Sequence, residues 1–235
     1  MSCQEIILKN NEERSVEYVD FSDLKIELSE GSKLLLKLAN FRSNCDIKIF
    51  GKIQKNAGIS VVFADFSKDF SKISSQIDLV GEGAYCDWHL ATLANKKDYK
   101  IFDISFKHLV GKTSSNMNNY GVSRDESKIV FSGVSHITDG AKKSSAKQNA
   151  KIIVFDKNSQ GIASPILKID ENDVQASHGA VVGQLNSNHM FYLMSRGLTR
   201  DDARTLITLG YLKPVSSQFS EDVQNKIENA IKEVM

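Results

Sequence analysis

From about residue 16 to residue 170 the chain alternates with period two, in short runs closed by Gly, Asn, Ser or Asp. Leu24, Ile26 and Leu28, then Leu34, Leu36 and Leu38, Ile47 and Ile49, Ile101, Ile129 and Phe131, and Ile152 and Val154 follow this spacing. Residues two apart share one face of a strand, so these runs predict half-buried strands. Turn chemistry separates them at 29–32 (SEGS), 55–58 (KNAG), 81–83 (GEG), 95–98 (NKKD) and 156–159 (DKNS). Windows such as 113–128 are too polar to bury a face at helical spacing, which excludes alternating strand–helix units. A sandwich, a barrel or a β-solenoid remains. Near-absence of proline, with only Pro165 and Pro214, leans towards the solenoid, as do polar runs such as SSNMNN and KKSSAKQNAK, expected where successive coils turn.

The 235 residues suffice for a large core and are expected to divide into two unequal units. A net charge of +1 gives no long-range attraction to nucleic acid or anionic membrane. No run nears the ~20 apolar residues of a membrane span, and the N-terminus lacks a secretory pattern, so a cytosolic protein is expected. Cys3, Cys45 and Cys86 lie far apart, matching neither a disulfide framework nor a self-contained metal site; buried reduced thiols are expected.

The character changes after residue 185. Asn186 or Ser187 can cap a helix over about 187–196 that Gly197 closes in the left-handed conformation. Thr199 is placed to cap a second helix, with Asp201 and Asp202 in its first turn and Lys213-Pro214 as its stop. Ser220 is placed to cap a third, in which Val223, Ile227, Ile231 and Val234 form an apolar stripe expected to pack on the other two helices.

Residue types alone give no catalytic constellation: no phosphate loop, no paired helical histidines and no nucleophile elbow. Alternation sends Cys86 and Trp88 to one face and Asp87 and His89 to the other, which reads as core beside solvated surface. His108 and His136 stand alone in strand-like text and read as structural. His178, in an exposed-looking Ser177-His178-Gly179 loop at the seam between strands and helices, is the best functional candidate.

Asp173-Val174, Ser177-His178-Gly179-Ala180, Val182-Gly183-Gln184-Leu185, Phe191-Tyr192-Leu193 and Ser195-Arg196-Gly197-Leu198 together resemble the C-terminal signature of the SufB/SufD proteins, scaffold subunits of the SUF iron–sulfur cluster assembly machine. Weaker agreement extends the resemblance over roughly residues 80–212. It implies a right-handed parallel β-helix over 1–185 and a helical subdomain over 186–235. It further implies pairing with a SufB-type subunit or with a second copy, and docking of a SufC-type ABC ATPase on the helical module through Phe191, Tyr192, Arg196 and Gly197. A nascent cluster, or its iron, would then meet His178 at the subunit interface.

Several departures qualify the resemblance. Ala150 stands where the SufB type carries a cysteine, and Ser177-His178-Gly179 stands where it reads Glu-His-Glu, so the chain is SufD-like. Ala176 replaces a cysteine common in SufD-type loops. No counterpart of the N-terminal helical region of longer members is expected before the first strands. Clusters are held mainly by thiolates, so His178 is expected to contribute one ligand to a shared site, with no cofactor bound stably by this chain alone. The expected role is a non-catalytic scaffold. The competing readings are a β-solenoid adaptor without metal and, last, a carbohydrate-active β-helix enzyme, for which no paired carboxylates are evident.

Overall fold

The computed structural model describes residues 3–185 and 187–235. Each coil contributes one strand to each of two parallel sheets. The first sheet holds β1 (Gln4–Leu8), β3 (Leu24–Leu28), β5 (Cys45–Ile53), β7 (Phe70–Leu79), β9 (Tyr99–His108), β11 (Lys128–Ile137) and β13 (Gln160–Ile169), in that order. The second holds β2 (Glu13–Val19), β4 (Lys33–Asn40), β6 (Gly58–Asp65), β8 (Tyr85–Ala94), β10 (Ser114–Ser123), β12 (Ser145–Val154) and β14 (Gln175–Gln184). Three helices follow, α1 (Ser187–Ser195), α2 (Arg200–Ser216) and α3 (Glu221–Val234). This is the β-solenoid with a helical C-terminal segment that the resemblance implied. Among the described residues no helix is long and apolar enough to cross a membrane.

Alternating residues of both sheets meet in the lumen. Phe63, Trp88, Phe102, Phe106 and Phe131 are fully buried there, with the Phe63 and Trp88 ring centroids 6.1 Å apart, edge to face. Each such side chain contributes roughly 1.5–3 kcal/mol by leaving water. Coil-to-coil contacts at the corners set the register. Asp98, Asp125 and Asp156 accept hydrogen bonds of 2.8–2.9 Å from the backbone N–H groups of Asp69, Lys96 and Asp125, each one coil back. All three donors have positive φ, and the carboxylates satisfy N–H groups that the turn would otherwise leave unpaired. At Gly81 a Cβ would lie 1.9 Å from the Lys55 backbone nitrogen, so only glycine allows that turn to stack.

Several sequence expectations need correction. SSNMNN does not mark a turn, since residues 114–119 lie in β10; in KKSSAKQNAK only Lys142 and Lys143 lie in the turn, and Ser145–Ala150 open β12. Their polar inward residues, Ser115, Asn119 and Gln148, are buried. Ladder pairing to strands on both sides supplies the backbone hydrogen bonds, so hydrophobicity is not what makes these segments strands. Ile101 faces outward, because Phe102, Ile104 and Phe106 take the lumen side of β9. Cys45 and Cys86 are buried as expected, but Cys3 is exposed.

The helices also differ in detail. Thr199 caps α2 by accepting from the Asp202 N–H, and Gly197 has φ +93°. Pro214 does not stop α2, which runs on to Ser216; in the last turn a proline forfeits only one hydrogen bond. Ser220 is the N-cap residue of α3, yet its hydroxyl binds the Glu17 carboxylate and makes no cap bond. Asn186, offered as a cap, lies outside the described residues. The stripe Val223, Ile227 and Ile231 packs in one cluster with Ala39, Val62, Ala64, Ala91, Leu93 and Val122 on the outer face of the second sheet, along with Leu212 and Val215 of α2. Packing on α2 was expected; the sheet face, in place of α1, was not. The small outward side chains of β6 and β8 leave room for α2 and α3 to lie on the sheet.

Candidate functional site at the open end of the solenoid

β13 and β14 form the last coil, and among the described residues no strand covers them. Every residue of β14 is exposed, and QASHGAVVGQ carries no Asp, Glu, Lys or Arg. β13, QGIASPILKI, has a single charge at Lys168 and holds Pro165, a residue that sheets tolerate at their edges. The opposite end differs: β2, ERSVEYV, carries Glu13, Arg14 and Glu17 in seven residues. Charge on an edge strand discourages pairing, whereas a long uncharged edge is a template for another chain. Ile162, Ile166, Val181 and Val182 add exposed apolar surface at the uncharged end.

His178 sits in the middle of β14, not in a loop. The register pairs Ala176 with Ala146, His178 with Gln148, Ala180 with Ala150 and Val182 with Ile152. All four residues on β12 are buried in the lumen, so His178 belongs to the lumen-facing set at the mouth of the solenoid. Gly179, its neighbour, faces out beside Asn149. Ala150 and Ala176, the positions where thiolates were considered, also face the lumen, on either side of the His178 column. The chain thus presents an imidazole with small apolar neighbours. Among the described residues no group of three or more His, Cys, Asp or Glu is placed to hold a metal ion.

The rung beneath His178 carries a residue that the sequence reading passed over. Gln148 is 2% exposed, and its amide nitrogen donates to Ser135 Oγ at 2.7 Å and to the Ile166 carbonyl at 3.1 Å. Among the described residues its Oε1 has no partner, and neither does buried Asn119 Oδ1. Both residues line a cavity of about 10 Å³ together with Met117, Gly133, Ala150 and Pro165. The available signal was the parity of β12: apolar Ala146, Ile152 and Val154 place Gln148 inward.

Phe191 and Tyr192 were singled out for partner binding. They lie on α1, none of whose residues is buried, and are 74% and 57% exposed; Arg196 stacks on the Tyr192 ring at 5.3 Å. A helix of nine residues is marginal by itself. α2, in contrast, is tied to the solenoid by Arg204, which bonds Asp156 Oδ1 at 2.8 Å and lies over the Phe155 ring. Burial pushes the Asp156 carboxyl up, but the Asp125 N–H and the Arg204 guanidinium outweigh it and hold the group below the usual carboxylate range. The other histidines are structural or peripheral: His108 is sealed among hydroxyls, and His136 pairs with Asp170 at 2.7 Å. Cys86 and Trp88 are buried, with Asp87 and His89 on the opposite face, as the alternation implied.

Comparison with known proteins matches residues 41–211 to the model of the SufBD core domain, described as SUF system FeS cluster assembly. The chain is 31% identical over 155 residues to the iron–sulfur cluster assembly protein SufD of Bacillus subtilis, covering 66% of this chain and 36% of that protein. It is 26% identical over 156 residues to SufB of the same organism, covering 66% of this chain and 33% of SufB. A SufBD family protein of Mycobacterium tuberculosis is 26% identical over 185 residues, covering 77% of this chain and 22% of that protein. The chain therefore spans about a third or less of the length of these relatives. The matched segment includes the uncharged edge, the His178 column, α1 and most of α2, and the chain belongs to the SufBD family of the SUF iron–sulfur cluster assembly system.

Proposed function

We propose that the chain is a non-catalytic, cytosolic scaffold subunit that joins a SufB-type subunit edge to edge through β13 and β14. The observation that carries this reading is the ten-residue, wholly exposed and uncharged β14 edge, beside a more charged edge at the other end. Pairing by strand addition satisfies the free backbone groups and buries Val181 and Ile166. It also closes the mouth of the lumen over His178. A nascent cluster, or its iron, is then the cargo of the joint site: His178 supplies one nitrogen lone pair, and the partner supplies thiolate. Exposed Phe191 and Tyr192 give α1 the aromatic anchors of a docking helix, and we assign them to a SufC-type ABC ATPase.

Anaerobic reconstitution with a SufB-type subunit and a SufC-type ATPase tests the three parts separately. Val181→Lys with Ile166→Lys is expected to abolish co-purification of the two scaffolds while leaving the far-UV spectrum of the isolated chain unchanged. Phe191→Ala with Tyr192→Ala is expected to weaken ATPase binding roughly thirty-fold, the size of one interface hot spot. His178→Ala is expected to leave both associations intact and to lower iron content and visible absorbance. Normal pairing by the lysine variant refutes the edge, normal ATPase affinity refutes the docking helix, and unchanged iron with His178→Ala removes that residue from the site. A complex that forms without iron or absorbance in the wild type would instead identify an adaptor.

A further inference from the structure

The cavity between β10 and β13 is walled by hydrogen-bond acceptors that lack donors. Both N–H groups of the Gln148 carboxamide are committed, to Ser135 Oγ and to the Ile166 carbonyl, so its own partners fix its orientation and Oε1 is the group left over. That oxygen is aimed at Gly133: a Cβ built there would lie 3.0 Å from Gln148 Oε1 and 2.9 Å from Met117 Sδ. Gly133, Met117 and Gln148 all line the cavity of about 10 Å³. Asn119 lines it from β10, and among the described residues its buried Oδ1 is likewise without a donor. Met117, Phe131, Ala150 and Pro165 bring no side-chain N–H or O–H, and exposed Asn149 donates to Asn118 Oδ1 at 3.2 Å. An anion would meet acceptors alone. A cation would enter without a counter-charge, because no lining residue is acidic. The room suits one water molecule, which needs roughly 10–15 Å³ and two to four polar partners.

We propose that this cavity is a binding site for a single buried water, which donates one hydrogen bond to Gln148 Oε1 and the other to Asn119 Oδ1. Gly133 makes the room, since a side chain there would take the place of the water. The bridge ties β10 to the Gln148 carboxamide, which already joins β12 to β11 through Ser135 and to β13 through Ile166. The water thereby helps to hold the edge strand of the last coil. None of this depends on His178 meeting iron.

A crystal structure of the full chain, at a resolution that orders internal water, tests the site directly. The wild type is expected to show one density peak at hydrogen-bond distance, about 2.7–3.2 Å, from both oxygens. Gly133→Ala, which fills the room, and Asn119→Leu, which keeps the size and removes an acceptor, are each expected to lose it. Should Gly133→Ala not fold, Asn119→Leu carries the test alone. Hydrogen exchange in solution reads the tie: β13 amides are expected to exchange several-fold faster in Asn119→Leu, with those of β3 and β5 unchanged. A wild type without the peak, a peak that reaches only one oxygen, or an Asn119 amide bonded directly to Gln148 Oε1 overturns the proposal. So does a peak that survives the substitutions, and unchanged β13 exchange refutes the tie.

Discussion

Asp65→Asn is expected to destabilise the chain by about 3–5 kcal/mol, because it strands a buried ammonium without its counter-charge. Asp65 and Lys100 are both fully buried, with Lys100 Nζ 2.9 Å from Asp65 Oδ2 and 3.3 Å from the Asp65 carbonyl. The carboxylate has other donors: Asn40 at 2.7 Å, Ser67 at 3.0 Å, and Ser71 at 3.3 Å. Thr92 adds a bond to the Asp65 carbonyl at 2.9 Å. Both bonds that the structure gives the ammonium end on Asp65. This asymmetry predicts that Lys100→Met costs less, about 1–3 kcal/mol, since the carboxylate keeps its hydroxyl and amide donors. In thermal unfolding the asparagine variant should melt on the order of 10 °C below the wild type. A midpoint within a few degrees, or a larger loss from Lys100→Met than from Asp65→Asn, would contradict this account.

The same pair shows where the sequence stops being legible. In YKIFDISFKH the lumen side is set by Phe102, Ile104 and Phe106, and Lys100 and His108 go inward with them. Parity predicts that much, although isolated Ile101 suggests the opposite face. The partner Asp65 lies 35 residues earlier, at a distance set by coil register, and no local spacing reports it. Strands with one strongly apolar face, such as 24–28, 34–38 and 129–131, are readable because only one orientation buries them. β14 has no such face: Ala176, His178, Ala180 and Val182 alternate with Ser177, Gly179, Val181 and Gly183, and neither set is decisively apolar. Its histidine therefore reads as a loop residue, although the register makes it a lumen residue. The motif around it identified the family, and the geometry relocated the side chain. Polar β10 and the first half of β12 were missed for a related reason, since ladder pairing on both sides holds them as strands with amides inside.

His108 makes the fold acid-sensitive well above the carboxylate range. The imidazole is fully buried at the end of β9, with Nδ1 2.8 Å from Thr113 Oγ1 and Nε2 2.8 Å from Ser115 Oγ. Thr113 Oγ1 is itself bonded to Ser144 Oγ at 2.9 Å, so the ring is enclosed by hydroxyls that suit its neutral form. Burial, reinforced by the nearby positive potential of His136, pushes the pKa from 6.5 down to about 4. The unfolded chain thus takes up a proton between those two values while the folded protein does not, and stability falls as pH falls through this window. The depressed group costs nothing above the unfolded value, and the loss reaches about 3 kcal/mol near the folded one. The lowered carboxyls of Asp156, Asp170 and Glu171 act at lower pH, because their loss follows protonation below their usual values. Urea unfolding between about pH 7 and 4.5 should show a slope approaching ~1.4 kcal/mol per pH unit. His108→Gln, which offers Thr113 and Ser115 one donor and one acceptor, should remove most of that slope. Equal slopes in the variant and the wild type would assign the acid sensitivity to other groups.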